Sequence, residues 1–107
     1  MFFHVSTAFV LINSDLGKDV KIIAKIKEIL EPENSTTFEI QGVYGVYDIV
    51  LKISSDDSPK LRGIVTNQIR KIENIQSTLT MMVIEEQEKS WRKIIFHLKI
   101  LRLKKTK

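Results

Sequence analysis

Few side chains in this sequence are of kinds that do chemistry, and most of them stand alone. The two histidines, His4 and His97, lie far apart and have no partner at metal-ligand or acid–base spacing. Cysteine is absent, which removes thiolate metal sites, disulfides and cysteine nucleophiles. No P-loop or dinucleotide fingerprint occurs. Gly42-Val43-Tyr44-Gly45 precedes no helix start, so it approaches a turn rather than cradling a phosphate. Serines, threonines and aspartates are plentiful, but no histidine stands near them to act as a base. Asp15, Asp19, Asp56 and Asp57 fall where helices should begin and complement the helix dipole. The expectation is a non-enzymatic chain with no metal site and no cofactor.

One polar set remains. Asp48 is expected one residue into a strand, directly after a tight Gly45-Val46 turn. Thr78 and Thr80 share one face of another strand. By itself Asp48 reads equally well as a solvated strand end. As a site, the set has a clear chemistry. A carboxylate holds an ammonium, while hairpin N–H groups and threonine hydroxyls hold a carboxylate. A free amino acid requires that pairing.

The elements that would position these residues follow from hydrophobic periodicity. Phe3 to Asn13 is a continuous run rich in Val, Phe and Ile, and predicts a central strand buried on both faces. Lys18 to Leu30 carries Val20, Ile22, Ile23, Ile26, Ile29 and Leu30 at three- and four-residue steps, a helix that Pro32 ends. Thr36 to Tyr44 and Tyr47 to Ile53 predict two strands. Between them, Gly45-Val46 suits a two-residue type II′ hairpin, because glycine takes the positive φ of its first position without strain. Ser58-Pro59 predicts a helix with Ser58 as its cap and the stripe Leu61, Ile64, Val65, Gln68/Ile69 and Ile72. Ser77 to Glu85 predicts the last strand. The order β-α-β-β-α-β is that of an α+β, ferredoxin-like sandwich, a four-stranded antiparallel sheet with two helices on one face. The other face is expected to show Val50, Met82 and Ile84, and so to pair with a second copy.

Composition is that of one ordinary globular domain: 107 residues, 43% hydrophobic and 28% charged, with too few glycines and prolines for a disordered chain. The net charge of +4 is unevenly spread. Residues 1–85 hold nine Lys/Arg against eleven Asp/Glu, whereas residues 86–107 hold eight against two. A slightly acidic body therefore carries a basic appendage, and the division expected is residues 1–86 and 87–107. The N-terminus has no Lys or Arg before its apolar run and no small-residue cleavage site, so a cytoplasmic protein is expected.

The segments Val43 to Ile53, Ser58-Pro59-Lys60-Leu61 and Ser77 to Glu85, with the opening Ala8 to Asn13, resemble the effector-binding domain of Lrp/AsnC transcriptional regulators, the RAM domain. The resemblance spans about residues 5–85, and its most specific part is the Gly45-to-Asp48 hairpin combined with the Thr78-Leu79-Thr80 strand. It implies the ferredoxin-like fold and dimers formed through sheet faces, with further assembly into tetramers or octamers. It also implies an amino acid or related effector held between subunits. By that match Gly45, Tyr47, Asp48, Thr78 and Thr80 are the ligand-binding candidates. Full regulators carry a helix-turn-helix domain first; here the first strand starts near residue 3, which suggests the stand-alone form. Such a form is expected to bind effector, or to join full-length Lrp/AsnC regulators in mixed oligomers. It is not expected to read DNA through a recognition helix.

The extension places Trp91, Ile94, Ile95, Leu98 and Leu101 at helical spacing, among Arg92, Lys93, Lys99, Arg102, Lys104 and Lys105. Ile94, Phe96, Leu98 and Ile100 also alternate as a strand would, but the helical spacing is the reading taken. Such a helix is expected to pack on the body or on a neighbouring subunit with its basic face in water. Alternatively those six basic residues grip an anionic partner, and the chain is a dimeric adaptor for nucleic acid, a membrane surface or another protein.

Overall fold

A computed structural model describes residues 5–84 of the chain. Strand β1 (Ser6–Ser14) leads to helix α1 (Asp19–Leu30), then strands β2 (Thr36–Gly42) and β3 (Ile49–Ser55). Helix α2 (Ser58–Gly63) continues as a π-helical stretch, Ile64–Ile69, before strand β4 (Ile75–Met82). The sheet order is β2-β3-β1-β4, with every neighbouring pair antiparallel. This is the ferredoxin-like arrangement that the element order predicts, with β1 central between β3 and β4.

Period-2 patterning fixes which side chains enter the core. Ala8, Val10 and Ile12 of β1 lie opposite Ile53, Leu51 and Ile49 of β3, and all six are fully buried. Over them pack Ile22, Ile26 and Leu30 from α1, with Leu61, Ile64, Val65 and Ile69 from the second helical segment. Val20, expected on the α1 stripe, is 73% exposed: two residues before Ile22, about half a turn round the helix, it looks into water.

The second helix departs from its expected form in two ways. Its cap is Asp57, not Ser58: the Asp57 carboxylate accepts from the Lys60 N–H at 3.1 Å, and Ser58 is already helical. The helix also changes pitch. Arg70 N–H reaches back to Val65 O, a five-residue step. A regular α-helix would have had to choose between Gln68 and Ile69 for its inner face. The wider turn buries Ile69 and leaves Gln68 exposed.

The strand faces also need one correction. Met82 pairs with Ala8, Thr80 with Val10 and Thr78 with Ile12, so these three lie on the helix side of the sheet. Ile84 lies past the end of β4. The face turned away from the helices instead presents Phe9, Leu11, Val50, Leu79 and Met81. Val50 was placed correctly; Met82 and Ile84 were not. No described element covers this face, so β1 is fully covered on the helix side only.

Candidate functional site

The β2–β3 connection is longer than a two-residue turn. The ladder ends at the Gly42–Ile49 pair, and Val43 N–H donates to Asp48 O at 2.8 Å around a four-residue loop, Tyr44 to Tyr47. Tyr47 and Asp48 thus precede β3. The reason lies in β1, which takes the N–H and side chain of Asp48 while its carbonyl stays with Val43. Asp48 N–H donates to Ile12 O at 2.9 Å, and Asp48 Oδ2 accepts from Ser14 N–H at 2.8 Å and from Ser14 Oγ at 3.2 Å. Gly45 has φ +145°, a value that favours glycine, although a Cβ there would meet nothing within 4 Å. Its role is backbone freedom and not space.

A cleft of about 380 Å³ opens at this end of the sheet. Ser14, Leu16, Gly17 and Asp19 line it from the β1–α1 connection, Val43, Tyr44 and Asp48 from the hairpin, and Gln76 from β4. Leu16 and Tyr44 are almost wholly exposed, so the cleft has an apolar rim and a polar floor. The floor is fixed by the hydrogen bonds of Asp48 and by Asp15 N–H to Asn74 O at 2.7 Å. Asn74 itself has φ +73°, in the left-handed region that asparagine tolerates.

Of the five expected ligand residues, only Asp48 lines this cleft. Gly45 and Tyr47 belong to the hairpin loop beside it. Thr78 stands beyond Ile12 from Ile49, two strand spacings away, or roughly 10 Å. Thr80 is one pair further along. Within one chain Asp48 and the two threonines therefore do not converge. Ser14, Asp19 and Gln76 were missed by sequence reasoning. The capping look of Asp19 and the loop setting of Ser14 hid them, and only strand register brings Gln76 close. His4, His97 and the six basic residues Arg92, Lys93, Lys99, Arg102, Lys104 and Lys105 lie outside the described residues.

A larger groove, about 580 Å³, runs between α1 and the end of the second helix over Ile22, Ile29 and Ile72. Its rim side chains are exposed, Lys21, Lys25 and Glu28 on the surface of α1 and Lys71 in the turn after the second helix, and Lys25 pairs with Glu28 at 3.7 Å. The smaller cleft is the better candidate because its polar groups are held by hydrogen bonds rather than scattered on a rim. Among the described residues no group of three His, Cys, Asp or Glu side chains forms a metal cluster. No described helix is long and apolar enough to cross a membrane.

A β2-β3-β1-β4 sheet backed by two helices, with its cleft among the loops at one end, is a ferredoxin-like α+β domain. The chain belongs to the Lrp/AsnC ligand-binding domain family, whose profile, described as the Lrp/AsnC ligand binding domain, matches residues 7–91. The crystal structure of FFRP-DM1 is 34% identical, with a TM-score of 0.60, over 74% of this chain and 99% of that one. AsnC from E. coli is 29% identical with a TM-score of 0.58; the match covers 74% of this chain but 50% of AsnC. The transcriptional regulator NMB0573 from Neisseria meningitidis, solved as a complex with L-Met, shares the fold at 14% identity, with a TM-score of 0.55 over 74% of this chain and 49% of that one. No functionally curated protein matches the chain.

Proposed function

We propose that the chain is a non-enzymatic, cytoplasmic effector-binding and oligomerisation domain that acts in transcriptional regulation and holds an amino acid between subunits. The observation that carries this reading is the cleft between the hairpin and the β1–α1 connection, with the hydrogen-bonded Asp48 in its floor. Family membership supports effector binding in regulation. The L-Met complex of NMB0573 supports the class of ligand.

The distance between Asp48 and Thr78/Thr80 favours a site completed across a subunit boundary. One chain brings the hairpin (Gly45, Tyr47, Asp48), and a neighbour brings a Thr78/Thr80 strand edge. The uncovered face with Phe9, Leu11, Val50, Leu79 and Met81 is the surface through which two copies, or one copy and a full-length Lrp/AsnC regulator, would pair. Tetramers or octamers would follow from dimers meeting at the cleft ends. The division at residue 86 is kept as a proposal, with the family match running on to Trp91. The adaptor alternative rests on the basic residues of 87–107, outside the described residues.

Calorimetry with the twenty amino acids, run alongside sedimentation, tests the reading. Heat with at least one amino acid, and a ligand-dependent shift in assembly, is expected. A monomer at micromolar concentration that binds none of them would refute it.

A further inference from the structure

The sheet has two lateral edges, and they are not alike. Edge strand β2 carries the charge of Glu39, which guards an open ladder against a further strand. Edge strand β4 has no such guard: Ile75 to Ile84 contains no charge, no proline and no glycine. Its inner edge is spent on β1. Val83 N–H donates to Thr7 O at 2.8 Å, and the alternation of an antiparallel ladder then commits the groups of Met81 to Phe9 and those of Leu79 to Leu11. The N–H and C=O groups of Thr78, Thr80 and Met82 therefore point outward, and among the described residues no strand lies beyond them. Both faces of β4 are wet as well. Met82 sits opposite the fully buried Ala8 yet is 40% exposed, while Leu79 and Met81 on the other face are 45% and 46% exposed. A strand open on both faces lacks the lateral neighbour whose side chains would cover it.

We propose that this neighbour is the chain's own C-terminal segment, Ile94 to Ile100, added to the outer edge of β4 as a fifth antiparallel strand. The chain leaves β4 at the end where Val83 meets Thr7 and continues to residue 107. Ile94, Phe96, Leu98 and Ile100 alternate with Ile95, His97 and Lys99. With Phe96 opposite Met81, Leu98 meets Leu79 on the uncovered face, while His97 meets Thr80 and Lys99 meets Thr78 on the helix side. Apolar then lies against apolar and polar against polar. A slip of one residue would set His97 and Lys99 beside Met81 and Leu79, so the pattern selects the register. Seven residues at about 3.3 Å each match the length of β4. Residues 84–93 make the connection, a loop of ordinary length that holds the segment at an effective concentration of about millimolar. A helix laid on either face would leave the outward ladder open, whereas a strand closes it. The family match ends at Trp91, before this segment. The placement does not depend on the amino-acid reading of the cleft.

The chain has no cysteine, so an introduced pair is the only one present. Opposed residues that exchange no hydrogen bond lie about 4.5 Å apart at Cα, within reach of a disulfide. Met81→Cys with Phe96→Cys should therefore close in the full chain under mild oxidation, read as loss of both free thiols without a covalent dimer. Met81→Cys with Ile95→Cys should stay reduced, because the second side chain points to the other face. Amide exchange in the unsubstituted chain, followed by nuclear magnetic resonance, tests the same strand and needs no variant to fold. The outward amides of Thr78, Thr80 and Met82 should exchange roughly tenfold or more slowly than unprotected amides. Free exchange at those three amides, with Leu79 and Met81 still protected, overturns the proposal. So does a Met81–Phe96 pair that stays reduced in a folded variant, a disulfide that forms between chains, or equal closure of both pairs.

Discussion

The two faces of the sheet are built from similar residues and end in different states. On the helix side Ala8, Val10, Ile12, Ile49, Leu51 and Ile53 are wholly buried, and the two helices complete the core. On the other side Phe9, Leu11 and Val50 are half-exposed, while Leu79 and Met81 are 45% and 46% exposed. Sheets with one polar face are stable alone in water; this one has an apolar stripe over β1 and β4 with nothing described on it. The first face therefore accounts for the fold of one chain, and the second is the surface proposed to pair with another.

Mutation should separate the two. Leu51→Ala removes a fully buried side chain from the middle of the helix side and should cost about 2–5 kcal/mol, measured by urea unfolding. The loss should be the same at any protein concentration if that face belongs to the single chain. A strongly concentration-dependent loss would mean that the core is completed only by assembly, and the comparison would break.

The next effect should appear in assembly rather than in folding. Leu79→Lys with Met81→Lys puts two charges on the uncovered face at positions already about half in water. Each should change the stability of the isolated chain by no more than about 0.5 kcal/mol. Sedimentation should nevertheless move toward the monomer, since a second sheet cannot bury two unpaired ammonium groups without a large desolvation cost. An assembly state unchanged by both lysines would show that another surface pairs the chains.

The contrast between faces also marks what the sequence made legible. Strand and helix order followed from period-2 and period-3.6 patterns, and β1 read correctly as central because its apolar run was unbroken. The β4 faces were reversed in part because Leu79, Met81, Met82 and Ile84 are all apolar, so alternation gave no sign of which set meets the helices. Register did: Ala8 lies opposite Met82. The hairpin was read as two residues because glycine is a strong local signal. The competing signal, the pull of Ile12 O and Ser14 on Asp48, comes from a strand 34 residues earlier for the Ser14 contact. The π-helical stretch has the same origin. Only contact with the sheet decides between Gln68 and Ile69.

The smallest effect expected is also the finest probe of the uncovered face. At one end of that face Thr7 and Ser54 share a hydrogen bond, Oγ1 to Oγ, at 2.8 Å, with Thr7 only 4% exposed and Ser54 half-buried. Thr7→Val removes one partner. Because Ser54 can still reach water in the single chain, the loss should be about 0.5–1.5 kcal/mol, the net value of an ordinary hydrogen bond. Thr7→Val with Ser54→Ala removes both hydroxyls and should recover part of that loss, so the two changes should not add. If this face pairs two copies it becomes dry, and a lone Ser54 hydroxyl then has no water to turn to. Its cost should rise as protein concentration drives assembly, read as a widening gap between the melting temperatures of Thr7→Val and the double variant. A gap that stays constant with concentration would place this end of the face outside the interface. The pairing surface would then be confined to the apolar stripe of Phe9, Leu11, Leu79 and Met81.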